Sequence, residues 1–148
     1  MKIRLVFLGM LFSQLLLAQN TNSDLVQLQN HPQKDTTRCF LLNKIIEAEN
    51  DQNIWIKYNQ ELRKIAVDQL QKENNKTLKN TYTKYLSISY NNDGANELYN
   101  EKFEKAIQYH LKSLKIKEAT KDIKGLSISY NDIGIIYKNM NRFEEALP

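Results

Sequence analysis

The sequence predicts an all-α protein, built as an α-α superhelix of antiparallel helix pairs. Glycine and proline are rare, with four and two copies in 148 residues, and so few chain breakers favour long helices over strands and turns. Apolar residues recur at steps of three and four, the spacing of one helical face. The hexapeptide LSISYN occurs at 86–91 and again at 126–131, which indicates a repeated structural unit.

An apolar segment follows two basic residues at the N-terminus. Lys2 and Arg4 precede the run from Leu5 to Ala18, the order of regions in a secretory signal peptide. We therefore predict that residues 1–18 are a signal peptide and that the protein is exported. A membrane helix is the alternative, but this run gives only about 21 Å of helix against a hydrocarbon core of about 30 Å. Membrane attachment is expected only through an uncleaved signal or a segment beyond residue 148.

The charge balance does not point to a nucleic-acid partner. The formal charge of +4 becomes +2 without Lys2 and Arg4, and the remaining Lys and Glu residues are interleaved. Nucleic-acid sites need clustered basic side chains, and no basic run in this chain exceeds two residues. We expect no nucleic-acid binding.

Cys39 is the only cysteine in the chain. It can form no internal disulfide and contributes to no cysteine-based metal cluster. Pairing with another chain remains open, but a free cysteine is more often buried as a small apolar residue. We expect burial.

Polar segments divide the remaining chain into four parts. Residues 19–34 are polar and aperiodic, which predicts a flexible leader. Residues 35–75 predict a divergent helix pair and residues 76–121 a second pair. Residues 122–148 predict a third unit whose second helix is cut short.

Side-chain oxygens and apolar steps predict the first helix pair. Asp35 and the two threonines behind it can cap the first helix. The polar run 49–53 ends that helix, and a second helix is expected to reach about Leu70 before the polar run 72–76. The apolar side of the first helix is expected to carry Phe40, Leu41, Ile45, Ile46 and Ala48.

The second pair contains a segment that local chemistry would assign to a turn. We expect helices at about 77–99 and 102–120, and the sequence NNDG at 91–94 lies inside the first. The aligned NDIG at 131–134 lies in a strongly apolar run, so we predict one unbroken helix. Beyond it, Asp122 is expected to cap a helix to about Lys138, and Asn141 with Glu144 to open a further helix as a capping box.

The two LSISYN copies belong to a longer alignment. Residues 86–108 and 126–148 align without gaps at ten identities in 23 positions. A fixed 40-residue period in a helical chain indicates helix–turn–helix units stacked into a solenoid. Small residues repeat as well, and larger ones would push closely crossing helices apart. The repeated small pairs are Gly94 with Gly134 and Ala106 with Ala146.

The motif YxxIGxxY at 130–137, with Ala146 twelve residues after its glycine, resembles the tetratricopeptide repeat. The 40-residue spacing is similar to the longer repeats of bacterial signalling proteins and of kinesin light chains. The segment that begins at Asp35 is similar to the start of exported bacterial sensor proteins. The resemblance implies a superhelix of helix pairs, a periplasmic location, and a protein or peptide partner held in a concave groove.

The earlier copy departs from the repeat pattern at two positions. Asp93 stands where the later copy has Ile133, and Glu97 where it has Tyr137. Either the helix is slightly rotated and packs Ala95, Leu98 and Tyr99 instead, or this repeat is poorly packed. We favour the rotated helix.

The resemblance places three positions of each first helix in the groove. Asn91 and Asn131 recur one repeat apart, and their amides offer donor and acceptor together to an extended peptide backbone. The alternative is that both are solvated positions that record shared ancestry. The implied groove residues are Ile88, Asn91, Ala95, Ile128, Asn131 and Ile135.

No residue pattern points to an enzyme. His31 and His110 lie far apart with no local partner motif, and His110 falls where the repeat packs an aromatic side chain. The chain has no Gly-rich phosphate loop, no HExxH and no nucleophile elbow. We expect no catalytic residue, no cofactor and no metal.

The resemblance implies that the chain is the exported N-terminal part of a larger bacterial signalling protein. Pro148 aligns with Gln108, in the middle of a helix, so we expect further repeats and an output domain beyond it. A stand-alone periplasmic scaffold protein is the alternative, and an enzyme is the least favoured interpretation.

Overall fold

A computed structural model describes residues 22–142 and Glu144. The predicted signal peptide and most of the predicted last helix, at 143 and 145–148, lie outside the described residues. Within them the chain is all-helical and forms no strand, which confirms the predicted all-α class. The helices are α1 at 22–30, α2 (Thr36–Ala48), α3 (Gln52–Lys72), α4 (Lys76–Tyr99), α5 (Phe103–Thr120) and α6 (Ile123–Asn139).

Short connections make each helix from α3 to α6 fold back on the helix before it. The links 49–51, 73–75, 100–102 and 121–122 are too short for anything but neighbouring antiparallel helices. Packing follows chain order from α2 to α6, and α2 also contacts α4. Side-chain oxygens cap four of these helices, as predicted for the first and the last, at Asp35, Asp51, Asn75 and Asp122.

The segment expected to be a flexible leader contains a docked helix. Residues 22–30 are helical, Leu28 lies in the core, and Asp24 pairs with Lys44 of α2 at 2.7 Å. The Arg38 guanidinium holds the end of α1, since it donates to the carbonyl oxygens of Leu28 at 3.0 Å and His31 at 2.6 Å. The composition of residues 19–34 predicted a flexible leader, because the residues that hold this segment in place lie on α2 and not within it.

The main apolar core is built chiefly from α2 and α3, with one residue each from α1 and α4. Cys39 is fully buried there, as expected, and burial raises the pKa of its thiol to about 12. The placement of Phe40 on the apolar side was wrong, because its side chain is 52% exposed beside the Lys44 ammonium. The core cluster consists of Leu28, Cys39, Leu41, Leu42, Ile45, Ile46, Leu62, Ile65 and Tyr82.

A polar network joins α3 to α4 and explains Asp93. Asp93 forms an ion pair with Arg63 and accepts from the Asn59 amide at 2.8 Å. Asn59 is buried and also donates to the Ser89 carbonyl at 3.0 Å. The rotated helix that we favoured is wrong, since Ala95 and Tyr99 are exposed. The polar residue at this position has a partner on the preceding helix.

The α4 helix runs unbroken through NNDG, as predicted, and Gly94 lies against α5. A Cβ atom at Gly94 would lie 2.6 Å from His110 Nε2, well inside van der Waals contact. His110 is 1% exposed, so its ring has no room to retreat. Ala106, one turn before His110, is also fully buried. The close crossing expected of the small residues is therefore present in this pair.

We expect Gly94→Ala to lower the free energy of unfolding by about 1–3 kcal/mol through overpacking against His110. At an open helical site the same change would raise stability by roughly 0.5–1 kcal/mol. The sign of the change in unfolding free energy therefore shows whether Gly94 lies at a close helix crossing. Urea denaturation followed by circular dichroism measures it. With His110→Ala in addition, the loss should be smaller than the sum of the two single changes. A stabilised Gly94→Ala variant would contradict the crossing.

We expect Arg38→Ala to release residues 22–30 while the helices from α2 onward stay folded. The variant removes charge-assisted hydrogen bonds worth roughly 1.5–3 kcal/mol each. Hydrogen exchange should become at least about tenfold faster in this segment. A smaller change is expected near Glu61 of α3, whose carboxylate accepts from Arg38 Nε at 2.6 Å. Lys57→Ala, an exposed change on α3, serves as the control. Unchanged exchange in the Arg38 variant would show that α1 docks without it.

Candidate functional site

The six predicted groove residues lie on two helices, three on α4 and three on α6. Their steps of three and four place each trio on one helical face. On α6 the trio is open to solvent, with Ile128 55% exposed, Ile135 43% exposed and Asn131 exposed. Two branched apolar side chains flanking an amide on an exposed stripe are suited to contact with a partner chain.

The trio on α4 is partly engaged inside the protein. Ala95 is exposed and Ile88 is half-buried. The Asn91 side-chain oxygen lies 3.2 Å from His110 Nδ1, so this amide contacts α5. Asn91 and Asn131 therefore share a repeat position but not an environment.

A cleft of about 540 Å³ opens beside Ile88, between the first half of α4 and the end of α5. Ile88 and Ile116 contribute apolar surface, and the lysines at 84, 117 and 121 contribute positive charge. We call the three predicted groove residues of each helix its groove stripe. Lys84 lies four residues before Ile88, so the cleft continues the α4 groove stripe toward the start of that helix. Sequence reasoning missed it. One sequence feature could have pointed to it: Lys84 and Lys124 are 40 residues apart, the same spacing as the LSISYN copies, so a lysine recurs at this end of both repeats.

A polar cluster centred on the buried His110 lies where α5 packs against α4 and α6. His110 Nδ1 is 3.2 Å from the Asn91 oxygen and 3.8 Å from an Asp132 carboxylate oxygen. Burial lowers the pKa of His110, the Lys117 charge lowers it further, and Asp132 opposes both. We assign the proton of the neutral ring to Nδ1, since both neighbours of that atom can accept.

Lys117 joins α5 to α6 in the same cluster. Its ammonium donates to the Ser129 hydroxyl at 2.7 Å, and the residue is 7% exposed. Burial lowers the pKa of Lys117, while Asp132 and Asp122 oppose that shift. Gly125 makes the approach possible, because a Cβ atom there would lie 2.9 Å from Lys117 Cδ.

His110 and Lys117 make packing, hydrogen-bond and charge contacts with the neighbouring helices. His110 lies against Gly94 and contacts an amide and a carboxylate, with no Ser or Cys nucleophile at its Nδ1 or Nε2 atoms among the described residues. In residues 22–142, no group of three or more His, Cys, Asp or Glu side chains is arranged to hold a metal ion. The described helices include none that combines the length and apolarity needed to cross a membrane.

Comparison with known proteins found no protein-family model, no curated protein and no solved structure that matches this chain.

We expect the folded protein to lose stability as the pH falls from about 7.5 to about 5.5. In the unfolded chain His110 titrates near 6.5, and in the folded protein its pKa is lower. Between those two values the unfolded state binds more protons, so acid favours unfolding, and the full contribution is present above 6.5. Urea unfolding at the two pH values measures this.

Two variants isolate His110 in that measurement. His110→Phe keeps an aromatic ring but cannot titrate, so this part of the pH dependence should vanish. Asp132→Asn removes the charge that favours the protonated ring and should deepen the acid loss. An identical pH profile in wild type and His110→Phe would refute the assignment.

Proposed function

We propose that this chain is a protein- or peptide-binding module of stacked helix pairs, resembling the tetratricopeptide repeat. The observation that carries the proposal is the exposed stripe of Ile128, Asn131 and Ile135 on α6. Its counterpart on α4 has the same residue types at its first two positions and borders a cleft of ligand-sized volume. An extended partner chain lying across both helices would contact equivalent positions at each step.

The packing of the helices supports stacking of like units. Each helix from α2 to α6 contacts the next, and α2 also touches α4, the contact between the first helices of successive pairs. The two junctions between pairs are alike in chemistry. Asn59 meets Asp93 at the first, and His110 meets Asp132 at the second. A partly buried polar contact therefore recurs where the second helix of one pair packs against the first helix of the next.

The setting of the module is a second part of the proposal. The basic and apolar order of residues 1–18 supports export. The resemblance at Asp35 supports the periplasmic sensory part of a larger bacterial signalling protein, with a stand-alone periplasmic scaffold as the alternative. A downstream apolar span of about 20 residues in the reading frame would favour the sensor, because that is the length of a membrane helix.

A binding measurement on an array of extended peptides tests the module. We expect the double variant Ile128→Ser with Ile135→Ser to bind at least about tenfold more weakly to the peptides that the wild type binds. That magnitude follows because the variant removes two aliphatic side chains whose burial against a partner would stabilise the complex. Helical circular dichroism should be unchanged, since both side chains are exposed.

Tyr130→Ser is the matched control on the same helix. Tyr130 is 51% exposed, comparable to the two isoleucines, but it lies away from the groove stripe. The Tyr130→Ser variant should bind these peptides with the affinity of the wild type. Equal losses of affinity in both variants, or peptide binding that survives the double variant, would remove the α6 stripe from the proposal.

A further inference from the structure

The cleft beside Ile88 combines an apolar floor with a cationic rim. Ile88, Ile116 and Ala119 supply the floor, and Lys84, from α4, and Lys121, from the α5–α6 turn, are exposed at its edge. Its volume of about 540 Å³ falls within the range of ligand sites in proteins. A ligand that fills it must offer apolar groups and match the charge of the rim.

The net charge of the cleft is positive. Lys84, Lys117 and Lys121 face only Asp122 as an acidic lining residue. Asp122 is already engaged as a helix cap, since its carboxylate accepts from the Gly125 backbone N–H at 3.0 Å. The Lys117 ammonium donates to the neutral Ser129 hydroxyl, while the Asp132 and Asp122 charges partly offset its own. A partly dehydrated ammonium attracts an anion more strongly than a hydrated one.

The same charge recurs one repeat later. Lys124 precedes Ile128 and Asn131 at the spacing with which Lys84 precedes Ile88 and Asn91. Both lysines are exposed and begin the groove stripe of their helix. A chain that crosses the two stripes at this end would meet a lysine from each helix and a third from the turn.

We propose that this end of the groove binds acidic side chains of an extended peptide whose apolar residues occupy the cleft floor. The inference deepens the proposed function and rests on it. Lys84, Lys121 and Lys124 are the residues that select acidic sequences, and Ile88 and Ile116 take the apolar residue between the acidic ones. Lys117 also lines the cleft, at the α5–α6 junction, and adds to its positive electrostatic potential.

Fluorescence anisotropy with three labelled peptides of about ten residues tests the selection. The peptides share their leucines and differ in carrying Glu, Gln or Lys at the other positions. At low salt the Glu peptide should bind at least about tenfold more tightly than the Gln peptide, and the Lys peptide more weakly still. The advantage should shrink at about 0.5 M salt, because these lysines are exposed to screening ions.

Charge reversal locates the site. Lys84→Glu and Lys124→Glu should each weaken binding of the Glu peptide by about tenfold and leave helical circular dichroism unchanged. Lys105→Glu, an exposed change on α5 outside the cleft, should leave affinity as in wild type. Amidation of the peptide C-terminus should not alter the preference for Glu. A preference that vanishes on amidation would overturn the assignment to side chains.

The outcomes separate this inference from the proposed function. Equal affinity for the Glu and Gln peptides, with both insensitive to Lys84→Glu, overturns acidic selection and leaves a peptide-binding groove in place. Failure of all three peptides, together with an empty peptide array, overturns both. Glu selectivity that disappears in the Lys84 and Lys124 variants but persists in the Lys105 variant supports the inference.

Discussion

The arrangement of α4, α5 and α6 depends on the contact between His110 and Gly94. The imidazole occupies the space that any side chain at Gly94 would need, and this lets α4 and α5 approach closely. From there the ring contacts Asn91 on α4 and Asp132 on α6. One buried side chain of α5 thus contacts both neighbouring helices, α4 and α6, which carry the predicted groove residues.

The two halves of the described chain are held together by different chemistry. Around α2 and α3 the interior is apolar, with Leu42, Ile45 and Leu62 fully buried. From α4 to α6 the interior combines a few buried apolar side chains, such as Leu114 and Ile136, with small and polar groups. The Ser87 and Ser113 hydroxyls, 3.0 Å apart, are an example of the polar groups. A polar interior depends more than an apolar one on exact hydrogen-bond geometry, because each buried polar group without a partner costs roughly 1–3 kcal/mol. The second half therefore has the more exacting packing, and it carries the candidate groove.

Part of the candidate site was accessible from sequence. The family resemblance implied that Ile128, Asn131 and Ile135 lie on one face, and these three residues are exposed on α6 in the structure. It could not distinguish Asn91 from Asn131, since the difference is made by His110, nineteen residues further along the chain. The cleft was missed for the same reason. Lys84 and Lys121 meet only because α5 folds back along α4.

The sequence by itself determined the helical class and most helix boundaries, since capping by Asp35 and Asp122 and the spacing of apolar residues act within a few positions. The duplication also predicted correctly that α4 continues through NNDG, whereas the local sequence alone would have predicted a turn there. Tertiary structure decided what local patterns cannot encode. Residues 22–30 dock because Arg38 reaches back to their carbonyl groups. Asp93 belongs in the fold because Arg63 and Asn59, on the preceding helix, supply the partners that a half-buried carboxylate requires.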